Sequence, residues 1–470
     1  MPARCLSDEK PDFFVLHTGG FLSLIHAFTF QNPVSDTTRY LLLDVESGAV
    51  HLLDEAALRV ARALERGEDP LASLPSAEEA QEILEEFEEL RKAGMFDSPQ
   101  LNPPENRDKT QVIKSMCLHV AHDCNLRCKY CFASTGEFHG ERMLMTAEVG
   151  RAALDFLIAR SGKRRHLEVD LFGGEPLMNY EVLKDIVAYG RELELIHGKV
   201  IHFTVTTNGL ALTPERVDYL NREMHNIVLS LDGRRDIHDE LRPTVNGKGS
   251  YDAIVEKAKA LVAARGDKEH YIRGTFTNRN LDFTEDVRAL RELGFEQISM
   301  EPVVLPQDSP YAIAPQHVSR ILDEYDRLAA YLIRSRQEGN WFNFFHFMLD
   351  MDNSPCLKKR ISGCGAGTEY IAVTPDGDIY PCHQFVGEES FLMGNVLRGT
   401  FDDAMQRPFQ GCNVRTKPAC RDCWAKYFCS GGCAANAWKY NGDIRVPDET
   451  TCIFERKRTE CAIGINTLDR

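Results

Sequence analysis

Between residues 113 and 333 the chain alternates six times between a short apolar run of strand-forming residues and a longer segment with helical periodicity. The strand-like runs are "MCLHVA", "HLEVDLF", "VIHFTVT", "NIVLSL", "YIRGTFT" and "QISMEP". Each is followed by a helical stretch, starting in turn at Thr146, Tyr180, Pro214, Tyr251, Phe283 and Pro315. Six such units predict an α/β fold with a parallel sheet under covering helices. The sheet is either open and doubly wound or a partial (β/α)6 barrel. No glycine-rich dinucleotide fingerprint follows the first strand, which counts against the first option. The carboxyl ends of the strands carry three cysteines, then "GGEP" (173–176), "TTNG" (206–209), "SLDG" (230–233), "TFTN" (275–278) and "MEPV" (300–303). In a β/α barrel that rim is where ligands bind. Residues 113–350 are therefore expected to form the catalytic domain.

The fifteen cysteines are not scattered. Four lie between Cys117 and Cys131, and ten between Cys356 and Cys461. The N-terminus, "MPARCLSDEKPDFFV", lacks the apolar core of a signal peptide. The most apolar run, "WFNFFHFML" (341–349), is far shorter than the about 20 residues that span a bilayer. These features predict a cytoplasmic protein with no membrane partner, in which cysteines serve metals or catalysis more than disulfides. The net charge of −16 argues against nucleic acid as a partner.

Residues 21–98 read as a small α+β module. Three strand-like runs, "LIHAFTF", "RYLLLDV" and "AVHLLD", precede two helices. The "SG" at 47–48 suggests a hairpin between the last two runs. Asp54 is placed to cap the first helix, which stops at Gly67; Ser76 and Glu79 match a capping box for the second, which Gly94 ends. Strands followed by two helices also describe a winged-helix-like module, while the acidic face of the second helix reads as simply solvated. Residues 1–20 form an extension before the module. Residues 99–112, polar and proline-bearing, form a linker after it.

Cys124, Cys128 and Cys131 have the spacing C-x3-C-x2-C. Three soft ligands suit an iron–sulfur cubane, with one iron left open, better than zinc. The competing reading is a zinc site completed by His119 or His122. The spacing, its place after the first strand and the aromatic Tyr130 before the last cysteine resemble the radical S-adenosylmethionine (SAM) superfamily over residues ~113–350. The resemblance implies that the open iron chelates the amine and carboxylate of SAM, and that cluster reduction releases a 5'-deoxyadenosyl radical. It further implies that Gly173, Gly174 and Glu175 contact the SAM amino group, that Asn208, Ser230 and Asp232 serve the ribose or carboxylate, that Arg242 pairs with the carboxylate, and that Tyr130 lies near the adenine. "SLDG" as a mere turn and Arg242 as a surface residue are the plainer readings.

From about residue 356 glycines, cysteines and short loops dominate, as in a region that needs metal to fold. "CRDCWAKYFCSGGC" (420–433) gives C-x2-C-x5-C-x3-C, with Cys452 downstream and Cys356, Cys364 and Cys382 upstream. This resembles the SPASM domain of radical SAM peptide-modifying enzymes, here over residues 351–470. By that resemblance Cys420, Cys423, Cys429 and Cys452 hold one auxiliary 4Fe–4S cluster, and Cys433 joins Cys364, Cys382 and Cys356 at another, for three clusters in all. Without Cys356 that second cluster would have an open iron. Structural zinc is the alternative for the whole field. Cys5, Cys117, Cys412 and Cys461 remain as free or buried thiols.

The stretches "HDCNLRCKYCFASTGEFHGERMLM", "GCGAGTEYIAVTPDGDIYPCHQFVGE" and "CWAKYFCSGGCAANAW" resemble the maturases of SCIFF peptides, short cysteine-rich ribosomal products. The module at 21–98 then looks like a RiPP recognition element, which captures a precursor's leader as an added strand. The implied reaction joins a peptide cysteine sulfur to an acceptor-residue carbon as a thioether, as in the ranthipeptides, with an external electron donor priming the cycle. A sulfatase-type maturase that oxidises a protein Cys or Ser shares the SPASM pattern, and a non-catalytic metal-binding regulatory module is the third reading.

Overall fold

The computed structural model describes residues 24–100, 112–349, 351 and 357–468. The extension 1–20, most of the linker 99–112, Cys5 and Cys356 lie outside the described residues.

The N-terminal part is a three-stranded antiparallel sheet, β1 (Ile25–Asn32), β2 (Thr37–Asp44) and β3 (Val50–Leu53), followed by α1 (Glu55–Arg66) and α2 (Ala77–Lys92). The caps lie where the sequence places them. Asp54 accepts from the Ala57 amide, Gly67 closes α1 in the left-handed region, and Ser76 accepts from the Glu79 amide. Strand alternation gives the sheet two buried faces. Ala27 and Leu42 pack with Leu58, Ala61, Leu84 and Phe87 of the helices, while Phe28, Phe30, Leu41 and Leu43 join the main core.

The central part follows the predicted alternation: β4 (Ser115–His122), β5 (Met143–Leu144), α3 (Ala147–Arg160), β6 (His166–Gly173), α4 (Tyr180–His197), β7 (Val200–Thr207), α5 (Pro214–Glu223), β8 (Asn226–Ser230), α6 (Arg235–Leu241), α7 (Tyr251–Arg265), β9 (His270–Phe276), α8 (Phe283–Glu292), β10 (Gln297–Pro302), α9 (Val318–Gln337) and β11 (Asn343–Phe344). Strands β4, β6, β7, β8, β9, β10 and β11 lie side by side in that order and run parallel. The period-2 pattern decides what each face does. Leu167, Val169 and Leu171 of β6, and Ile201, Phe203 and Val205 of β7, are buried in the core the helices cover. The opposite face presents Glu168, Asp170, Thr204, Thr206, Ser230 and Arg273 to a cavity of about 940 Å³. A barrel interior built only for stability is filled with bulky branched residues; the cavity face of this sheet is polar and open.

The C-terminal part was the least legible. It contains α10 (Leu357–Ser362), β12 (Tyr370–Val373), β13 (Asp378–Tyr380), β14 (Gly394–Asn395), β15 (Thr400–Phe401), α11 (Arg407–Gln410), α12 (Pro418–Arg421), α13 (Lys426–Cys429), α14 (Ala434–Asn441) and α15 (Glu449–Thr467). β12 pairs in parallel with β4, so that β12 to β15 extend the central sheet beyond its first strand. The long α15 lies against α9 and against β1. A Cβ on Gly464 would come within 2.2 Å of the Phe30 ring, so only glycine lets helix and sheet approach this closely.

Candidate active site

The cysteine loop leaves β4 at His122 and is fixed by backbone bonds to a second loop. The amides of Arg127 and Lys129 donate to the carbonyls of Pro243 (2.7 Å) and Leu241 (2.9 Å). Arg127 Nη1 caps the Cys124 carbonyl at 2.5 Å. These bonds hold Cys124, Cys128 and Cys131 on the cavity wall and set Arg242 beside them.

"GGEP" continues the sheet pairing past the strand ends: the amides of Gly174 and Glu175 donate to the carbonyls of Ala121 and Asp123 at 2.8 and 2.9 Å. Gly173 has φ 125°, and a Cβ there would lie 2.2 Å from the Ala121 oxygen. A Cβ on Gly174 would lie 2.3 Å from the Asp123 oxygen. The glycines are thus demanded first by the approach of backbone to the cysteine loop. Glu175 is fully buried. Its carboxylate accepts from the Leu177 amide (3.0 Å), Thr207 Oγ1 (2.8 Å) and the Asn208 amide (2.7 Å). Burial pushes its pKa up, and those donors pull the other way. The outcome is placement: Asn208 Nδ2 reaches Asn125 Oδ1 at 2.8 Å and Cys124 Sγ at 3.7 Å.

"SLDG" is more than a turn. Asp232 is fully buried and accepts from the Tyr130 hydroxyl, 2.7 Å to the nearer oxygen, and from the Thr275 amide at 3.1 Å. The Tyr130 hydroxyl in turn accepts from Arg242 Nη1 at 2.7 Å. Arg242 is buried, not on the surface, and its Nε has no partner among the described residues. Burial raises the carboxyl of Asp232 and the phenol of Tyr130, while the Arg242 guanidinium opposes both. Ser230 lines the cavity below this network.

The thiols fall into three groups, each a set of mutually interacting charges. Cys124 feels Cys128 and Cys131. Cys382, just after β13, feels Cys433 and Cys364. Cys420 of α12, Cys429 at the end of α13 and Cys452 in the first turn of α15 each feel other thiols of the same set, among them Cys423 in the loop between α12 and α13. Burial first, and like charge second, push Cys124 up to about 12 and Cys420, Cys429 and Cys452 each to about 11. Burial pushes Cys128 to about 11 against the pull of Arg242. Such crowding of thiols disfavours the thiolate until iron binds and displaces the protons, so these soft donor sets fit iron–sulfur clusters. The Leu126 amide, 3.4 Å from Cys124 Sγ, is the kind of donor that tunes a ligand sulfur. Among the described residues no three or more His, Cys, Asp or Glu side chains converge on a point for a single ion. A cubane asks instead for one thiolate on each iron. Of the remaining thiols, Cys117 lines the cavity, Cys412 donates to the Ile444 carbonyl at 3.1 Å, and Cys461 is buried near the Tyr325 carbonyl.

Four cavity residues were not singled out from the sequence: Asp170, Arg273, Glu301 and His383. Their signals were available. Asp170 is a polar residue at an alternate position of an apolar strand, Glu301 sits in a rim motif, and His383 follows Cys382 directly.

Residues 118–277 match the radical SAM superfamily, and residues 364–424 match SPASM, an iron–sulfur cluster-binding domain. A cysteine-type anaerobic sulfatase-maturating enzyme of Clostridium novyi (strain NT) is 23% identical over 67% of this chain and 86% of its own length. The mycofactocin maturase MftC of Mycolicibacterium smegmatis is 27% identical over 68% of this chain and 78% of its own length. Among solved structures, anSMEcpe with bound AdoMet superposes with a TM-score of 0.63 at 19% identity, covering 76% of this chain and 95% of that one. SuiB of Streptococcus suis bound to its precursor peptide SuiA gives 0.53 at 17% identity, covering 91% and 98%. The two domain matches fall on the two parts of the chain that carry the thiol groups: a radical SAM domain over residues 118–277 and a SPASM domain over residues 364–424.

Proposed function

We propose that this protein is a peptide maturase that installs thioether cross-links between a cysteine sulfur and an acceptor-residue carbon of a ribosomally made, cysteine-rich precursor. The observation that carries the reading is the shared cavity: one space of about 940 Å³ is lined both by Cys124, Cys128 and Cys131 and by Tyr370 and His383 of the SPASM part. SAM at a cluster held by Cys124, Cys128 and Cys131 supplies a 5'-deoxyadenosyl radical. Cys356, Cys364, Cys382 and Cys433, and separately Cys420, Cys423, Cys429 and Cys452, hold two auxiliary 4Fe–4S clusters suited to thiolate binding and electron acceptance. Glu175 holds Asn208 against the first cluster loop, and the Tyr130–Asp232–Arg242 network fixes a buried guanidinium beside it, a geometry that suits the SAM carboxylate.

The N-terminal module is the leader-binding element of this reading. β3 is an edge strand of its sheet and Leu52 on it is 57% exposed, which suits strand addition by an extended peptide. MftC and SuiB, both maturases or peptide-bound by name, support a peptide substrate. An external electron donor completes the system. A cytoplasmic setting agrees with the oxygen-sensitive chemistry, and among the described residues no helix is long and apolar enough to cross a membrane.

The sulfatase-type reading rests on the likeness to sulfatase-maturating enzymes. The two separate in one experiment: anaerobic incubation of the iron-loaded chain with SAM, reductant and a small cysteine-rich peptide. Loss of two hydrogens together with one alkylatable thiol supports the thioether. An aldehyde reactive toward hydrazides supports the alternative. An unmodified peptide contradicts both.

A further inference from the structure

An oxidation that begins with hydrogen-atom abstraction leaves a proton and an electron still to be removed. Under the maturase reading, on which this inference rests, a substrate C–H bond breaks and its hydrogen ends on 5'-deoxyadenosine. The peptide S–H bond breaks, the C–S bond forms, one electron passes to an auxiliary iron–sulfur cluster, and one proton needs a base. The sulfatase-type oxidation leaves the same remainder.

Among the described residues four carboxylates line the cavity, Glu168, Asp170, Glu269 and Glu301; Glu168 and Glu269 are exposed, with Glu269 3.7 Å from His225, and Glu175 and Asp232 lie behind the wall. Glu175 and Asp232 are fully buried and saturated by donors. Glu301 is held by His346 at 2.9 Å and by Ser299 at 3.0 Å; burial works against its charge, but His346, Arg273 and Arg458 together outweigh it and keep the group well below the carboxylate range. Asp170 is different. It lies on the polar face of β6, three residues below Gly173, and lines the cavity. Among the described residues no hydrogen bond or ion pair engages its carboxylate. The groups around it are Glu168 on its own strand, Cys117 at its register position on β4, Thr204 at its register position on β7, and Tyr370 of β12, with Arg273 and Glu301 farther round the wall. Tyr370 hydrogen-bonds to Cys117 and lies 3.2 Å from His383 Nδ1, next to Cys382. Asp170 therefore stands where the SPASM part enters the cavity wall, on the side of the auxiliary cluster thiols.

We propose that the Asp170 carboxylate is the catalytic base that accepts the substrate proton in this oxidation. Burial, with Glu168 adding to it, pushes its carboxyl up to about 6, which suits a group that must accept a proton and release it near neutral pH.

The test uses the full chain, iron-loaded under anaerobic conditions, with SAM, reductant and a small cysteine-rich probe peptide. The wild-type product rate is expected to rise with pH through about 6. Asp170→Asn is expected to cut peptide product roughly 100-fold or more, the usual span of a lost general base, while 5'-deoxyadenosine still forms, iron content and melting temperature hold, and the pH-dependent limb disappears. Asp170→Glu is expected to restore part of the product. Wild-type product with an unchanged rate and pH profile in Asp170→Asn overturns this inference alone. So does a loss that tracks lower iron or melting temperature and is not rescued by Glu. Absence of any peptide product from the wild type overturns the maturase reading and this inference with it.

Discussion

Lys426 of the SPASM part forms an ion pair with Glu46 of the N-terminal module at 2.8 Å, with both side chains at most 5% exposed. The Tyr427 hydroxyl donates to the same carboxylate at 2.8 Å, and nearby the Trp424 ring stacks on His26 at 3.8 Å. These three residues of the SPASM part lie between Cys423 and Cys429. The N-terminal module is thus fastened to the loop that carries a proposed auxiliary cluster. Removing one partner of a buried pair strands the other charge, at about 3–5 kcal/mol. Glu46→Ala is expected to loosen the module by that order, read as a lower unfolding midpoint and earlier proteolytic release of the N-terminal part. Unchanged stability would contradict the pairing.

His26 adds a pH dependence to the same contact. Burial lowers its pKa, but hydrogen bonds to Glu460 (2.9 Å) and Glu65 (2.8 Å) outweigh it, so the folded value is raised. A raised folded value means the stabilisation is complete below the unfolded pKa of about 6.5 and is lost as pH climbs through the folded one. The wild type should lose more stability than His26→Gln between about pH 6 and pH 8. Parallel melting curves for the two proteins across that range would count against it.

The close approach at Gly174 makes a sharp prediction. A methyl group there would meet the Asp123 carbonyl at 2.3 Å, a backbone atom that cannot turn away. Gly174→Ala is expected to displace the cysteine loop at a cost of about 1–3 kcal/mol or more. Iron and SAM binding at Cys124, Cys128 and Cys131 should fall, while the C-terminal clusters stay loaded. Wild-type iron content and SAM affinity would refute the role assigned to the close contact.

The three thiol groups predict metal content. Three cubanes amount to about 12 irons per chain. Replacing Cys124, Cys128 and Cys131 by Ala should leave about 8, and replacing Cys420, Cys423, Cys429 and Cys452 should remove a different set of about 4. Stoichiometric zinc, or iron that falls to nothing in either variant, would contradict the grouping.

The central alternation was readable because strands such as β6 and β7 alternate buried apolar with polar residues at period 2, and α3 and α5 carry side-chain caps at Thr146 and Thr213. The rim motifs were readable because cysteines and glycines cannot be explained by burial. What the sequence hid depends on contacts between distant segments. That β12 joins β4 is a matter of register between residues 115 and 370, with no local signature. The helix α15 lacks a clean apolar stripe because it is buried on several sides, by β1, α9 and α13, so its periodicity fades where its burial is greatest. The sequence left Arg242 open between a carboxylate partner and a surface residue because nothing near it in sequence supplies Tyr130 and Asp232. Asp170 showed in the sequence only as one polar residue of an apolar strand; the cavity it lines is formed by the assembled sheet.

The most direct measurement is the yield of 5'-deoxyadenosine and of cross-linked peptide from the reduced, iron-loaded chain with SAM and a cysteine-rich peptide. The account predicts both from the wild type, and neither once Cys124, Cys128 and Cys131 are replaced by Ala. No 5'-deoxyadenosine from the loaded wild type, or an equal amount from the triple variant, would contradict it.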